Sequence, residues 1–157
     1  MKALARQKIT PFLWFDHQAE DAARFYVSLF ARSKILSVSG KGPNGGPMAV
    51  SFVLDGQPLH ALNGGPIFTF TAAISLYVDC QTQAEVDTLW TALSRGGSKG
   101  RCGWLKDRYG LSWQLVPSVL GRLINDPDAE KAQRAMAAMM KMRKLDIKKL
   151  QAAHAGR

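Results

Sequence analysis

Apolar residues along this chain follow two rhythms, short continuous or alternating runs and longer stretches in which they return every three or four positions. Ile9 to Phe15 is apolar, aromatic-rich and closed by Asp16, the pattern of a buried strand. From Gln18 to Phe30, Ala22, Phe25, Tyr26, Leu29 and Phe30 recur at helical steps, and Glu20 and Asp21 stand near the positive end of the helix dipole. Ile35 to Val38 predicts a short strand, and Gly40 to Pro47 a loop. Its glycines are turn chemistry, because the Lys-Ser/Thr that closes a phosphate-binding loop is missing. Ala49 to Leu54 and Pro58 to Leu62 predict a hairpin around Asp55-Gly56.

The second half repeats the first. Ile74 to Val78 followed by Asp79 matches the first strand and Asp16 at an offset of 63 residues. Leu89, Trp90 and Leu93 match Phe25, Tyr26 and Leu29 at an offset of 64, and Trp113 to Val116 match Leu59 to Leu62 at 54. The second copy is therefore about ten residues shorter before its last strand, so a strand or loop is reduced there. CGWLKDRYGLSWQLVP, from Cys102 to Pro117, reads as a hairpin with Trp104-Leu105 and Leu111 to Val116 flanking Asp107-Arg108-Tyr109-Gly110. Helical spacing takes over past Pro117. A short helix over Ser118 to Ile124, a break and N-cap at Asp126-Pro127-Asp128 and an amphipathic helix from Ala129 to Met142 are expected. Asp146 then opens a last turn or two through Leu150, and the residues from Ala152 onward are expected to fray. The expectation is an α+β fold of paired βαβββ modules in one domain over 1–157, with modules at 8–63 and 72–117, the second shortened, and a helical extension over 118–157.

Composition narrows the partners. A chain of 157 residues with 46% hydrophobic content supports one buried core. MKALARQK leads straight into ITPFLWFD without the apolar core of a leader, no run reaches membrane-spanning length, and the only cysteines are Cys80 and Cys102. Together these predict a reducing, cytoplasmic setting and no membrane partner. The net charge of +9 is concentrated late, with nine Lys/Arg against four acids from Gly121 on. Without a helix-turn-helix, finger or stacking motif, this reads as a solvated helical face, and nucleic acid is not an expected partner.

Strand alternation sorts the candidate chemistry. Leu13 and Phe15, with Ile74, Leu76 and Val78, are expected beneath the helices. Thr10, Phe12 and Trp14, with Ala73, Ser75 and Tyr77, then take the opposite face, where His60 and Gln114 could converge as equivalent residues of the two copies. An apolar cleft with few polar groups is the usual form of a small-molecule site. His60 is the candidate acid or base. Cys102, between Arg101 and Gly103, and the aromatic residues Trp104, Tyr109 and Trp113 are candidates to line the cavity; Cys80 reads as packing. A nucleophilic Cys102 needs a partnered base, and only His60 qualifies.

The strings ITPFLWFDHQAEDAARFY, LDGQPLHALNGGP, CGWLKDRYGLSWQLVP and DPDAEKAQRAMAAMMKM, set in this duplicated order, closely resemble the PhnB-like branch of the vicinal oxygen chelate superfamily. Glyoxalase I, bleomycin-resistance proteins and extradiol dioxygenases are relatives in fold. The resemblance runs from Lys8 to about Leu150 and implies paired βαβββ modules, a homodimer, and a cavity in each curled sheet that holds a small organic ligand. It also brings the label of 3-demethylubiquinone methyltransferase, but no glycine-rich strand-to-helix turn suited to S-adenosylmethionine appears, so no cofactor is expected. Metal-dependent members place His or Glu near the start of each module's first strand and on its last strand. Those positions fall near Thr10 and Ala73 and on His60 and Gln114, a poor set for a divalent metal. The resemblance thus implies a metal-free binding protein with Phe12, Trp14, Ser75, Tyr77, Cys102, Trp104 and Gln114 around the ligand. The alternative is a lyase or other enzyme of the same class using His60.

Overall fold

In the computed structural model, which describes residues 7–42 and 46–157, the chain divides into two units, Met1–Thr69 and Phe70–Arg157. The first holds β1 (Phe12–Phe15), α1 (Ala19–Leu29), β2 (Lys34–Ser39), β3 (Ala49–Leu54) and β4 (Gln57–Asn63). Its sheet runs β1-β4-β3-β2, with β1 parallel to β4 and the other pairs antiparallel. Strand β1 starts later than the apolar run suggests. Pro11 has no amide to give a ladder, its carbonyl accepts from the His60 amide at 3.0 Å, and Ile9 before it is 84% exposed.

Alternation decides which face is buried. Leu13, Phe15, Val50, Phe52, Leu59 and Ala61 pack with Ala22 and Tyr26 of α1, which lies against β3 and β4. Burying Phe52 contributes about 2–3 kcal/mol. The predicted hairpin forms, with Asp55 and Gly56 at φ of 45° and 84°, both in the left-handed region that a two-residue turn of this type demands. Strand β2 is a mostly exposed edge with a bulge between Ile35 and Ser37. Of the predicted loop from Gly40 to Pro47, residues 43–45 lie outside the described residues.

The second unit repeats the order with β5 (Ser75–Cys80), α2 (Gln83–Ser94), β6 (Ser98–Lys99), β7 (Trp104–Lys106) and β8 (Ser112–Pro117), its sheet running β5-β8-β7-β6. The shortening falls on β6 and β7, which have two and three residues where β2 and β3 have six each. Thr82 caps α2 by accepting the Glu85 amide, Leu89, Trp90 and Leu93 are buried as their spacing predicts, and Val86 is buried beside them. One expectation fails here. Ile74 precedes the strand and is 72% exposed, so it does not lie beneath the helix; β5 continues through Asp79, and Cys80 takes the buried end of that face.

Three further helices complete the unit: α3 (Val119–Ile124), α4 (Ala129–Lys141) and α5 (Ile147–His154). Asp128 caps α4 by accepting the Glu130 and Lys131 amides, and Asp146 caps α5 through the Lys149 amide. Leu120, Leu123, Ala135, Leu145 and Leu150 form a small core with Val116 of β8. Helix α5 runs past its expected end at Leu150, through Ala152 to His154. The Arg134 guanidinium donates to the carbonyls of Ala153 and His154 at 3.1 and 2.9 Å, and His154 Nε2 lies 2.8 Å from Asp126 Oδ2. The amides of Cys102 and Gly103 donate to the carbonyls of Met142 and Arg143, both at 2.8 Å, and tie these helices to the sheet's own loop. Among the described residues no helix is long and apolar enough to cross a membrane.

Candidate functional site

Register brings three side chains into one row on the first sheet. The parallel pairing of β1 with β4 sets Phe12 beside His60, and the antiparallel pairing of β3 with β4 sets Ser51 on the other side of it. All three lie on the face turned away from α1, because Leu13, Leu59, Ala61, Val50 and Phe52 occupy the buried one. Ser51 Oγ is 2.8 Å from His60 Nδ1, and the Phe12 and His60 rings lie 6.1 Å apart with a tilt of 49°. Phe12 is 60% exposed. Trp14, next on the same side of β1, is held more firmly. Its indole lies over Gly64 so closely that a Cβ there would collide with the ring, its Nε1 donates to the Gly65 carbonyl at 2.9 Å, and Phe68 meets it edge-on at 5.0 Å. None of the four strands carries Asp or Glu, and the one cation among them, Lys34, shares the Ser51 face through its pairing with Val53.

The second sheet gathers a different set. Gln114 pairs with Tyr77 on one side and Trp104 on the other, and its Nε2 donates to Ser75 Oγ at 2.9 Å. Tyr77 is 60% exposed; partial burial, then Asp79 and Cys80, raise its pKa and keep the phenol protonated. Cys102 stands apart from these four. It sits in the turn before β7 with a φ of 54°, and its Sγ is 3.8 Å from Met140 Sδ of α4. Trp113 is wholly buried and belongs to the core. Cys80 packs as expected: burial, then Glu85 and Asp79, push its thiol up to about 12, far from a nucleophile's range.

His60 and Gln114 occupy the same strand of their units, but their registers differ. Phe12 pairs with His60, whereas Tyr77, the repeat of Trp14, pairs with Gln114. The two sequence offsets are therefore out of step by two residues, which leaves every side chain on its expected face. Thr10 and Ala73 fall outside the strands. The donors at the superfamily's metal positions come down to one imidazole, engaged at Nδ1 by a hydroxyl, and one neutral amide. They do not fit a divalent ion, and among the described residues no three His, Cys, Asp or Glu side chains are grouped to hold one. The strand-to-helix turns, Asp16-His17-Gln18 and Gln81-Thr82, contain no glycine and do not fit S-adenosylmethionine either.

A groove of about 450 Å³ lies elsewhere in the first unit, lined by Asp16, His17, Glu20 and Asp21 with Pro47, Gly65 and Pro66, and by none of the candidate ligand-binding residues. Two of its acids are engaged, Asp16 with His17 at 3.3 Å and Glu20 with Arg24 at 2.6 Å. The sheet face offers the better match of apolar wall to polar group. Sequence reasoning missed Ser51 as the partner of His60. The signal was present, because the two-residue turn fixes Leu54 opposite Gln57, and counting back along the hairpin puts Ser51 opposite His60.

Two βαβββ units, each with a helix on one face of a four-stranded mixed sheet, define the vicinal oxygen chelate fold. Within it the chain belongs to the PhnB-like family: residues 7–116 match the family described as 3-demethylubiquinone-9 3-methyltransferase. A PhnB protein from Bacillus cereus bearing the same description is 41% identical, with a TM-score of 0.67 over 71% of this chain and 99% of that one. A Pseudomonas aeruginosa protein, PA1353, is 22% identical with a TM-score of 0.59 over 71% of this chain and 97% of that one. The fosfomycin resistance protein FosX from Listeria monocytogenes shares the fold at 16% identity, with a TM-score of 0.55 over 76% and 97% of the two chains. Comparison with curated proteins found no match.

Proposed function

We propose that the protein binds a small organic molecule on the open face of its first sheet, without the divalent metal that enzymes of this fold use. The row Phe12–His60–Ser51, an exposed aromatic wall beside one imidazole and one hydroxyl, carries this reading. Trp14 extends the wall, and in the second unit Ser75, Tyr77, Trp104 and Gln114 form a corresponding polar and aromatic set. Cys102 enters this reading only as a residue near the β7 end of that set. The methyltransferase description is not adopted, because nothing in either strand-to-helix turn suits its cofactor. The same reading takes the protein as a cytoplasmic homodimer, from the family resemblance and from two free cysteines.

A second reading, an enzyme using His60 as general acid or base, is favoured by the 2.8 Å contact with Ser51, which holds the imidazole in place. Metal analysis of protein purified without chelator, together with a thermal-shift screen of small organic molecules, tests the proposal. Less than a tenth of an equivalent of metal and a ligand whose stabilisation is lost in Phe12→Ala are expected on the order of magnitude of specific binding. One equivalent of bound divalent ion overturns it. Full turnover by His60→Ala on a substrate found in the screen removes the enzymatic reading.

A further inference from the structure

We propose that Ser51 is a positioning residue that holds His60 with its ring proton on Nε2, so that the first sheet presents a fixed N–H donor and selects planar ligands bearing a carboxylate or carbonyl oxygen. The ligand class rests on the small-molecule reading of this face; the role of Ser51 does not.

The hydrogen bond at Nδ1 decides which ring nitrogen carries the proton in a neutral histidine. In a catalytic dyad with a carboxylate at Nδ1, that nitrogen must be protonated, and Nε2 is left as the base. Here the partner is a hydroxyl, Ser51 Oγ at 2.8 Å, and no strand of this sheet supplies Asp or Glu to take a proton from Nδ1. Among the described residues His60 is the one hydrogen-bond partner of Ser51 Oγ. If Nδ1 kept the proton, the hydroxyl would only accept, and its own proton would be left to solvent, which reaches this exposed pair. Donation from Oγ–H to Nδ1 keeps both groups paired within the protein and leaves Nε2–H for a ligand.

The surroundings of that donor fix what it selects. The Phe12 ring lies beside His60 and offers a flat apolar wall. Lys34, whose pairing with Val53 puts it on the same face, is the one charged group that the four strands contribute. An N–H donor on a sheet face whose strands carry one cation, two strands away, and no carboxylate favours an oxygen acceptor, most strongly an ionised one, over an amidinium or ammonium group.

Imidazole nitrogen-15 NMR on the ligand-free protein reads the tautomer directly. The proton is expected on Nε2 of His60 in the wild type and in Ser51→Thr, which keeps the hydroxyl, and a shift towards a mixture of tautomers is expected in Ser51→Ala. A wild-type proton on Nδ1, or an unchanged pattern in Ser51→Ala, overturns the role of Ser51. Titration with benzoate and with benzamidinium, two planar probes of similar shape, then reads the ligand class. Benzoate is expected to shift the His60 signal saturably, about five- to tenfold more weakly in Ser51→Ala, the loss of roughly one hydrogen bond's worth of alignment. Equal or tighter binding of benzamidinium overturns the oxygen-acceptor class. If neither probe moves His60 while the tautomer does respond to Ser51→Ala, the small-molecule reading of the face fails and the positioning role stands.

Discussion

Asp107 accepts the indole N–H of Trp113 on Oδ2 at 2.8 Å, and both residues are buried. Its other oxygen accepts the amides of Tyr109 and Leu111 at 2.8 and 3.1 Å, so one carboxylate both shapes the turn between β7 and β8 and fixes a fully buried tryptophan of the second unit's core. Gly110, at a φ of 90°, completes the turn. Asp107→Asn keeps the shape but can turn an N–H towards the indole N–H. It is expected to cost about 2–4 kcal/mol, read from equilibrium urea unfolding, because a buried donor loses its acceptor. Trp113→Phe removes that donor, so the double variant should lose clearly less than the sum of the two single ones. Additive losses would show that the contact carries no coupling.

Gly64 makes a comparable prediction in the first unit. The Trp14 indole covers it so closely that a Cβ would overlap the ring carbons. Gly64→Ala is therefore expected to displace the ring, break its bond to the Gly65 carbonyl and cost about 1–3 kcal/mol. The Trp14 indole N–H resonance reports the displacement, and in a Trp14→Ala background the same change should cost little. A wild-type indole signal in Gly64→Ala would mean that the ring has another place to go.

What the sequence made legible follows from the range of the forces involved. The hairpin at Asp55-Gly56, the buried stripe of Leu89, Trp90 and Leu93, and the caps at Asp128 and Asp146 each depend on neighbours a few residues away, and all appear as read. Ile9 and Ile74 were misjudged because apolarity alone does not start a strand. Pro11 removes one ladder donor, and β5 begins only where Ser75 finds Ser112. The end of α5 was misjudged for the opposite reason: its stability comes from Arg134, nineteen and twenty residues earlier, and from Asp126, neither of which local pattern reveals. In the candidate site the face of each residue was readable from alternation, whereas the row Phe12–His60–Ser51 depends on a parallel pairing between distant strands.

The contact of Lys144 Nζ with Asp87 Oδ1 at 2.6 Å links the segment before α5 to α2 and gives stability a pH dependence. The Lys144 hydrogen bond, then one from Gln83, hold the Asp87 carboxyl below its ordinary value of 3.8. A folded-state pKa below the unfolded one means that the contribution is fully present above about pH 4 and is lost as the pH falls through the lowered value. Both side chains are more than a third exposed, so after solvent screening the contribution is a few tenths of a kcal/mol. Asp87→Asn should remove that part of the acid-side slope of unfolding free energy between about pH 5 and 2, lowering the neutral-pH value by those few tenths and leaving the value below both pKa values unchanged. An unaltered slope would assign the acid sensitivity to other carboxylates.

The two cysteines should separate cleanly by reactivity. Cys80 is fully buried at the end of β5, and its thiol, pushed up to about 12, offers almost no thiolate at neutral pH. Cys102 is partly exposed in the turn before β7, with its sulfur against Met140. Iodoacetamide on the native protein is therefore expected to label Cys102 alone, and denaturant should release Cys80 to the same reagent, as read by peptide mass spectrometry. Because the Cys102 amide also bonds the Met142 carbonyl at 2.8 Å, loosening α4 should raise the labelling rate of Cys102. Asp128→Ala, which removes the α4 cap at a cost of about 1 kcal/mol, provides that loosening. Fast native labelling of Cys80 would contradict the packing of β5 against its helix, while equal Cys102 rates in the wild type and Asp128→Ala would mean that the turn before β7 holds its shape without α4.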